Sequence, residues 1–196
     1  MLFTIRHQTR YRYSKPVHLG PQKLRFRPRD DGSQEIVEYR LELTPNPAGL
    51  DDHLDLEGNR VTQVWFEAET YSFDIELNLK VRTLRQNPFH FLLAPDATRL
   101  PFEHAHETIC ARSYLERIQI DDAVTAFAAE LSLAAGRETL RFLELLSQRL
   151  FTEFTHGHRE TGEPQTPAVT LQQRNGACRD LAVLFVDCCR AEGIAA

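Results

Sequence analysis

The hydrophobic period of the chain changes once along its length, and this change constrains the fold more than any other feature. From residue 3 to about residue 83, apolar and polar side chains alternate with a period of two, as in half-buried strands. Turn residues interrupt these runs, for example at residues 45–47 and 58–59. The clearest run alternates an apolar set with a polar set: Phe73, Ile75, Leu77, Leu79 and Val81 against Asp74, Glu76, Asn78, Lys80 and Arg82. Six or seven such short strands predict an antiparallel β-sandwich over residues 1–92.

Beyond Asp121, which is placed as a helix N-cap, the period becomes helical. The first helix presents a buried stripe of Val124, Phe127, Ala128 and Leu131. A second helix over about 137–154 is expected to bury Leu140, Leu143, Leu146, Leu150, Phe151 and Phe154. Residues 156–167 are predicted as a loop, and the apolar segment 177–192 as a central, buried helix. The fold class is therefore α+β, with a proline-rich linker at 93–120 between the sandwich and a helical part at 121–196.

Charge and composition exclude several classes of protein. The 196 residues are 42% hydrophobic and 26% charged, which excludes a disordered chain, and no apolar run approaches a membrane span. The net charge of −5 argues against nucleic acid as a partner. Eight of the 23 Lys and Arg residues lie in residues 1–29, which hold no acid. That basic segment could attract a polyanion, but pairing with Glu38, Glu42, Asp74 and Glu76 on neighbouring strands is the favoured interpretation.

The four cysteines are predicted to be reduced thiols in the cytoplasm, because no export signal precedes them. One of them, Cys178, has a distinctive position. Asn175-Gly176 is predicted to form a tight turn that places Cys178 in the first turn of the helix 177–192. Unpaired N–H groups and the helix dipole favour a thiolate there, and the same N–H groups could hold an oxyanion. A cysteine nucleophile also needs a histidine and a third, orienting group, and the alternative is that Cys178 only packs in the core.

Histidines offer weaker signals. His156 and His158 lie about 20 residues before Cys178 and could fold near it, but a solvated loop is the favoured interpretation. His104 and His106, with Glu103 and Glu107, form a weak metal motif, because zinc takes three or four fixed ligands. We therefore predict no metal and no cofactor.

Residues 176–182, Gly-Ala-Cys-Arg-Asp-Leu-Ala, and their continuation to 196 resemble the cysteine-bearing helix of bacterial transglutaminase-like proteins, a family to which cysteine-protease activity is attributed. The first half of the chain is similar to short sequence motifs of the same family's β-rich N-terminal region, at residues 11–13, 24–29, 58–59 and 87–93. The resemblance implies a papain-like/transglutaminase-like core with Cys178 as the nucleophile. It makes Asp180 a recurrent neighbour of that cysteine, with a site-shaping role.

The resemblance also places a catalytic His and Asp on strands after the cysteine helix, and the sequence stops at Ala196. We therefore expect a chain truncated inside its core, and inactive or nearly so in this form. The parent would be a thiol enzyme that acts on peptide or side-chain amides of a peptide or protein substrate through a thioester. The alternative is a non-catalytic β-sandwich interaction module. The helix 177–192, without its covering sheet, is expected to drive homo-oligomer formation.

Overall fold

The computed structural model describes residues 1–87, 89–102, 112–115, 120–159 and 161–196. The chain divides into two compact units, residues 1–91 and 92–196. The described part of the segment expected to be a linker belongs to the second unit. Leu100, for example, is buried in its helical core, and the Leu100 N–H donates to the Arg137 carbonyl at 2.9 Å.

The first unit is built from antiparallel strands in two sheets. The strands are β1 Leu2–His18, β2 Gln22–Leu24, β3 Gln34–Thr44, β4 Gly49–Leu54, β5 Arg60–Trp65 and β6 Glu69–Thr83. One sheet has the order β1-β6-β3 and the other the order β2-β5-β4. Leu24 and Val64 of the second sheet share a core cluster with Leu43, Phe73 and Ile75 of the first. The predicted sandwich is confirmed.

The central strand β6 shows why the period of two was informative. All five apolar residues of its alternating run are buried. Its charged residues face outwards and pair with charges on the two flanking strands. Arg6 of β1 contacts Glu76 at 2.8 Å, and Lys80 contacts Glu38 of β3 at 2.6 Å. Arg12 also pairs with Asp74, so cross-strand pairing accounts for part of the basic N-terminal segment.

The second unit is mainly helical. Its elements are a 3₁₀ turn at Pro95–Thr98, α1 Arg112–Leu115, α2 Asp122–Ala134, α3 Thr139–Glu153, β7 Thr155–His156, α4 Pro167–Gln173, β8 Asn175–Gly176 and α5 Cys178–Ala191. Asp121 caps α2 as predicted, because its carboxylate accepts the Ala123 N–H at 2.8 Å. Leu131, Leu146 and Leu184 bring α2, α3 and α5 into one core. Among the described helices, none is both long and apolar enough to cross a membrane.

The predicted face of α3 was partly wrong. Leu140 and Phe151 are 50% and 86% exposed, whereas Phe142 is fully buried. The buried row runs through Phe142, Leu146 and Leu150 at i, i+4 and i+8. Leucines lie on both sides of this helix, so the period alone does not say which row faces the core.

The region before Cys178 also differs from the prediction. Residues 167–173 form α4, which starts with Pro167 in its first turn, a position that tolerates proline. Asn175 and Gly176 form a short strand rather than a tight turn, and the positive φ falls one residue earlier, at Arg174. His156 lies on β7 and not in a loop.

The helix α5 is more covered than the sequence predicted. None of its large apolar side chains is among the exposed ones, and Leu181 and Phe185 are half-buried against the core. Homo-oligomer formation through this helix therefore stays a prediction, without an exposed apolar face on α5 to support it.

The corrected face of α3 can be tested by a matched pair of substitutions. Phe142→Ala should lower the free energy of unfolding by about 3–5 kcal/mol, because it empties a fully enclosed site. Leu140→Ala, on the exposed side of the same helix, should cost less than about 1 kcal/mol. Urea denaturation followed by circular dichroism measures both values. Equal losses for the two variants would contradict the assigned face.

Candidate active site

Cys178 is the first residue of α5, and its side chain is exposed. Further along, the helix enters the core, where Leu184 and Cys188 are fully buried. The element that carries the thiol is thus anchored by packing while its first turn stays open to solvent. The Asp180 and Leu181 N–H groups donate to the Ala177 carbonyl. The N–H groups of Cys178 and Arg179 precede these first helical bonds, so they are available to an incoming oxyanion.

A histidine lies directly beside this thiol. The Nε2 atom of His156 is 3.0 Å from the Sγ atom of Cys178. Depending on the proton position, either the thiol donates to a neutral imidazole or an imidazolium donates to a thiolate. Both side chains are exposed, so the pair is accessible.

Parallel pairing of β7 with β8 brings these two groups together. His156 is aligned with Gly176, two residues before Cys178. The Thr155 N–H donates to the Arg174 carbonyl at 2.8 Å, and the Gly157 N–H donates to the Gly176 carbonyl at 2.9 Å. These two bonds flank His156 on its own strand, so the backbone on both sides of the imidazole is held.

Arg174 fixes the start of β8 against the helices. Its backbone is in the left-handed region, with φ of 52°, and its N–H donates to the Thr170 carbonyl to end α4. Its guanidinium lies over the rings of Phe127 and Phe154, 5.4 and 4.9 Å from their centroids, and binds Glu153 at 3.0 Å. The cation–π contacts offset the cost of a left-handed conformation at a residue with a side chain.

Gly176 allows α5 to approach β8 closely. A Cβ atom at this position would lie 2.8 Å from the Cβ atom of Asp180 and 3.3 Å from the Cγ2 atom of Thr170. The first contact involves an atom next to the backbone, which cannot move aside easily. The Gly-Ala-Cys segment of the sequence therefore has a steric reason for its glycine.

Asp180 is the centre of a buried polar network below the thiol. Its side chain is 1% exposed and accepts hydrogen bonds from the Arg159 guanidinium at 2.6 Å and from the N–H groups of Gln165 and Ala177, each at 2.8 Å. Arg179 adds two bonds, to the carbonyls of Arg159 and Thr161, each at 2.9 Å. Together these bonds tie the segment after β7 to the first turn of α5.

The same contacts set the protonation of this carboxyl. Burial raises the pKa of Asp180, but the N–H donors of Gln165 and Ala177, with the positive charges of Arg159 and Arg179, outweigh it and hold the pKa below its usual range. Asp180 is therefore ionised at neutral pH and does not serve as a proton donor.

The other thiols differ from Cys178. Burial raises the pKa of Cys188 to about 12 and that of Cys189 to about 11. Both are enclosed in the core, so they are inert neutral thiols at physiological pH.

The remaining predicted site residues are not part of this arrangement. The exposed His158 has no contact with Cys178 among the described residues. The weak metal motif of residues 103–107 and the fourth cysteine, Cys110, lie outside the described residues. Elsewhere in the described chain, no group of three or more His, Cys, Asp or Glu side chains could hold a metal ion.

The first unit contains a separate cleft of about 730 Å³ between its sheets, lined by Tyr39, Leu41 and several carboxylates. Most of those carboxylates are already bound: Asp74 by Arg12, Glu76 by Arg6, and Glu42 by Arg40. The cleft therefore offers little free charge to a ligand.

Comparison with known proteins identifies the family. A family model described as the bacterial transglutaminase-like N-terminal region matches residues 3–82, and that of the transglutaminase-like superfamily matches residues 125–196. The chain is a transglutaminase-like protein. The recognition made from the sequence is confirmed, with the two parts in the predicted order.

This transglutaminase-like chain has relatives in mycobacteria. An uncharacterized protein from Mycobacterium tuberculosis and one from Mycobacterium bovis are each 27% identical to it over 201 residues, a match that covers 99% of this chain. The chain spans 63% of the length of these curated relatives.

A solved structure shares the fold. The crystal structure of "a Putative Cysteine Protease from Cytophaga hutchinsonii" matches with a TM-score of 0.63 at 15% identity, over 98% of this chain and 66% of that one. This shared fold confirms the α+β class, and the superfamily match over residues 125–196 confirms the transglutaminase-like core.

Sequence reasoning proposed Cys178 and Asp180 as site residues and placed His156 in a solvated loop. The available signal was weak, because a strand of two residues has no period to read. The apolar Phe154, which is buried, was the signal that the chain stays packed against the core directly before His156.

The lowered pKa of Asp180 predicts a pH dependence of stability. The stabilisation from its charged contacts is complete above the ordinary aspartate pKa of about 3.9 and is lost as the pH falls from there through the lowered folded-state pKa. Wild type should therefore be more stable than Asp180→Asn at pH 7, and this difference should shrink below about pH 4. Urea midpoints at several pH values measure it, with the exposed Asp30→Asn as the matched control. A difference that stays constant with pH would contradict the ionised network.

Proposed function

We propose that Cys178 is the nucleophile of a thiol enzyme that transfers acyl groups from peptide or side-chain amides, with water as the main acceptor. The observation that carries this proposal is an exposed thiol in the first turn of a buried helix, with the His156 imidazole 3.0 Å from its sulfur. Membership of the transglutaminase-like superfamily supports the reaction class. The cysteine-protease description of the Cytophaga hutchinsonii structure supports a peptide or protein as the substrate and hydrolysis as the outcome.

The reaction follows from the groups in place. The thiol loses its proton to an imidazole, and the sulfur attacks the carbonyl carbon of the amide. The N–H groups of Cys178 and Arg179 lie in the first turn of α5, where they can donate to the developing oxyanion. The C–N bond then breaks, the amine leaves with the proton, and a thioester remains on Cys178. Water cleaves the thioester to a carboxylic acid and restores the thiol.

For the 196-residue polypeptide itself we expect little turnover. An imidazole that moves protons in catalysis is usually oriented by a third group. Within the described part of the chain, His156 has no carboxylate partner for its other nitrogen. The first acylation step is thus the part of the reaction that these residues are best equipped to perform.

The chain is proposed to work in a reducing compartment, the cytoplasm. Cys178, Cys188 and Cys189 are free, and a thiol nucleophile requires the reduced form. A non-catalytic interaction module has no specific support among the described residues, since carboxylates within the first unit already pair with Arg6, Arg12 and Arg25.

The nucleophile can be tested by trapping the acyl-enzyme. The chain carries Cys110→Ser, so that Cys178, Cys188 and Cys189 remain. It is mixed with p-nitrophenyl acetate and digested for mass spectrometry. We expect one acetyl group on Cys178, released by hydroxylamine as expected of a thioester, and no acetyl group on Cys188 or Cys189, whose raised pKa values keep them neutral. Cys178→Ser should abolish the hydroxylamine-sensitive adduct. Equal labelling of Cys178 and the two buried cysteines would refute a specific nucleophile.

Asp180 is proposed to act as a positioning residue that holds Arg159 and Gln165, on the segment after β7, against the first turn of α5. Asp180→Asn keeps the size of the side chain but removes the charge that binds Arg159. We expect acylation of Cys178 by a peptide thioester to slow about 10-fold, as for other losses of substrate positioning. Alkylation by iodoacetamide, which needs only an exposed thiol, should change by less than about 2-fold. Equal losses for both reagents would indicate general disruption instead.

A further inference from the structure

We propose that His156, on the strand β7 that pairs with the strand before the nucleophile helix, is the proton acceptor for Cys178. This inference rests on the proposed function, because it assigns a role within the same site. The resemblance to the transglutaminase-like family places a catalytic histidine after the cysteine helix, so it gives no role to a histidine at position 156. The geometry of this chain supplies one.

The distance between the two groups is right for direct proton transfer. The His156 Nε2 atom and the Cys178 Sγ atom are 3.0 Å apart, within hydrogen-bond reach. No intervening group is needed, and both side chains are open to a substrate.

The backbone around His156 holds the imidazole in place. Its strand neighbours Thr155 and Gly157 each donate a hydrogen bond to the chain at Arg174 and Gly176. A Cβ atom at residue 157 would lie 2.8 Å from the Asn175 Oδ1 atom, so the Asn175 side chain would have to move to admit a larger residue. β8 leads into α5 through Ala177 alone. The pairing of β7 with β8 therefore holds the imidazole beside the thiol.

The charged groups on the surrounding elements are bound to one another and to the backbone. On α5 and the segment after β7, Arg159 and two N–H groups bind the Asp180 carboxylate, and the Arg179 guanidinium donates to the carbonyls of Arg159 and Thr161. At the start of β8, Arg174 is paired with Glu153. The exposed His158, on the segment after β7, has no contact with the pair. In the part of the chain that the structure describes, no carboxylate forms a hydrogen bond or an ion pair with His156, and the Cys178 sulfur is its hydrogen-bond partner.

The proton step balances within the pair. The S–H bond of Cys178 breaks, a proton joins the lone pair of the His156 Nε2 atom, and a thiolate and an imidazolium result. When the thiolate displaces iodide from iodoacetamide, a C–S bond forms, iodide leaves, and the imidazolium releases its proton to the buffer. Thiol activation is thus built into residues 155–178 of this chain.

The test compares two histidines two residues apart. In the Cys110→Ser chain, the rate of Cys178 alkylation by iodoacetamide is measured from pH 5 to pH 10 for wild type, His156→Gln and His158→Gln. Glutamine can still hydrogen-bond but cannot accept the proton. We expect His156→Gln to slow alkylation at least about 10-fold near pH 6.5 and less than about 2-fold near pH 10, where any cysteine is ionised. His158→Gln should match wild type. A His156→Gln profile that superimposes on that of wild type would overturn the proposal.

Two further measurements distinguish a loss of proton transfer from a loss of folding. Protection of the buried Cys188 and Cys189 from the reagent shows that each variant is folded. If the His156→Gln substitution exposes these cysteines, the test is made on the wild-type chain instead. Its thiolate ultraviolet absorbance and its His156 NMR signal should titrate as a coupled pair, and independent titrations would overturn the proposal. Hydroxylamine-sensitive acetylation of Cys178 at the wild-type rate near pH 6.5 in His156→Gln would leave the nucleophile intact and refute only the role of His156.

Discussion

Two backbone hydrogen bonds hold the candidate site together. The Thr155 and Gly157 N–H groups donate to the carbonyls of Arg174 and Gly176, and so join the end of α3 to the start of α5. Everything chemical in the chain depends on this short parallel pairing, since His156 lies between the two donors and Cys178 follows the second acceptor by two residues. A ladder this small is stable only because its flanks are anchored, by Phe154 in the core and by the Arg174 guanidinium over two aromatic rings.

The buried Asp180 carboxylate is the second constraint on the site. An uncompensated charge at 1% exposure would be costly, and here an arginine and two N–H groups compensate for it. The hydrogen bonds that compensate the buried charge also fix the position of the chain, because they join Arg159 and Gln165, on the segment after β7, to Asp180 on α5. A residue identified by resemblance as a site-shaping neighbour thus has a physical connection to the segment beside the nucleophile.

The accuracy of sequence reasoning varied with the length of the pattern. Strand β6 repeats its alternation over five pairs, so its core face and its outward charges followed from the period. Helix α3 was found, but its leucines occupy more than one face, and Phe142 was missed as a core residue. The strands β7 and β8 have two residues each, too few for any period, and they were predicted as a loop and a turn.

The sequence by itself determined the sandwich, the helices and the position of Cys178 in the first turn of a buried helix, because these depend on local periods, caps and a motif contiguous in the chain. Only the tertiary structure decided which histidine lies beside that thiol. His156 and Cys178 are 22 positions apart, and the chain between them contains α4 and a left-handed turn at Arg174. The direction in which this segment returns depends on packing of Arg174 against Phe127 and Phe154. Contacts of that kind join residues distant in sequence, and no local pattern records them.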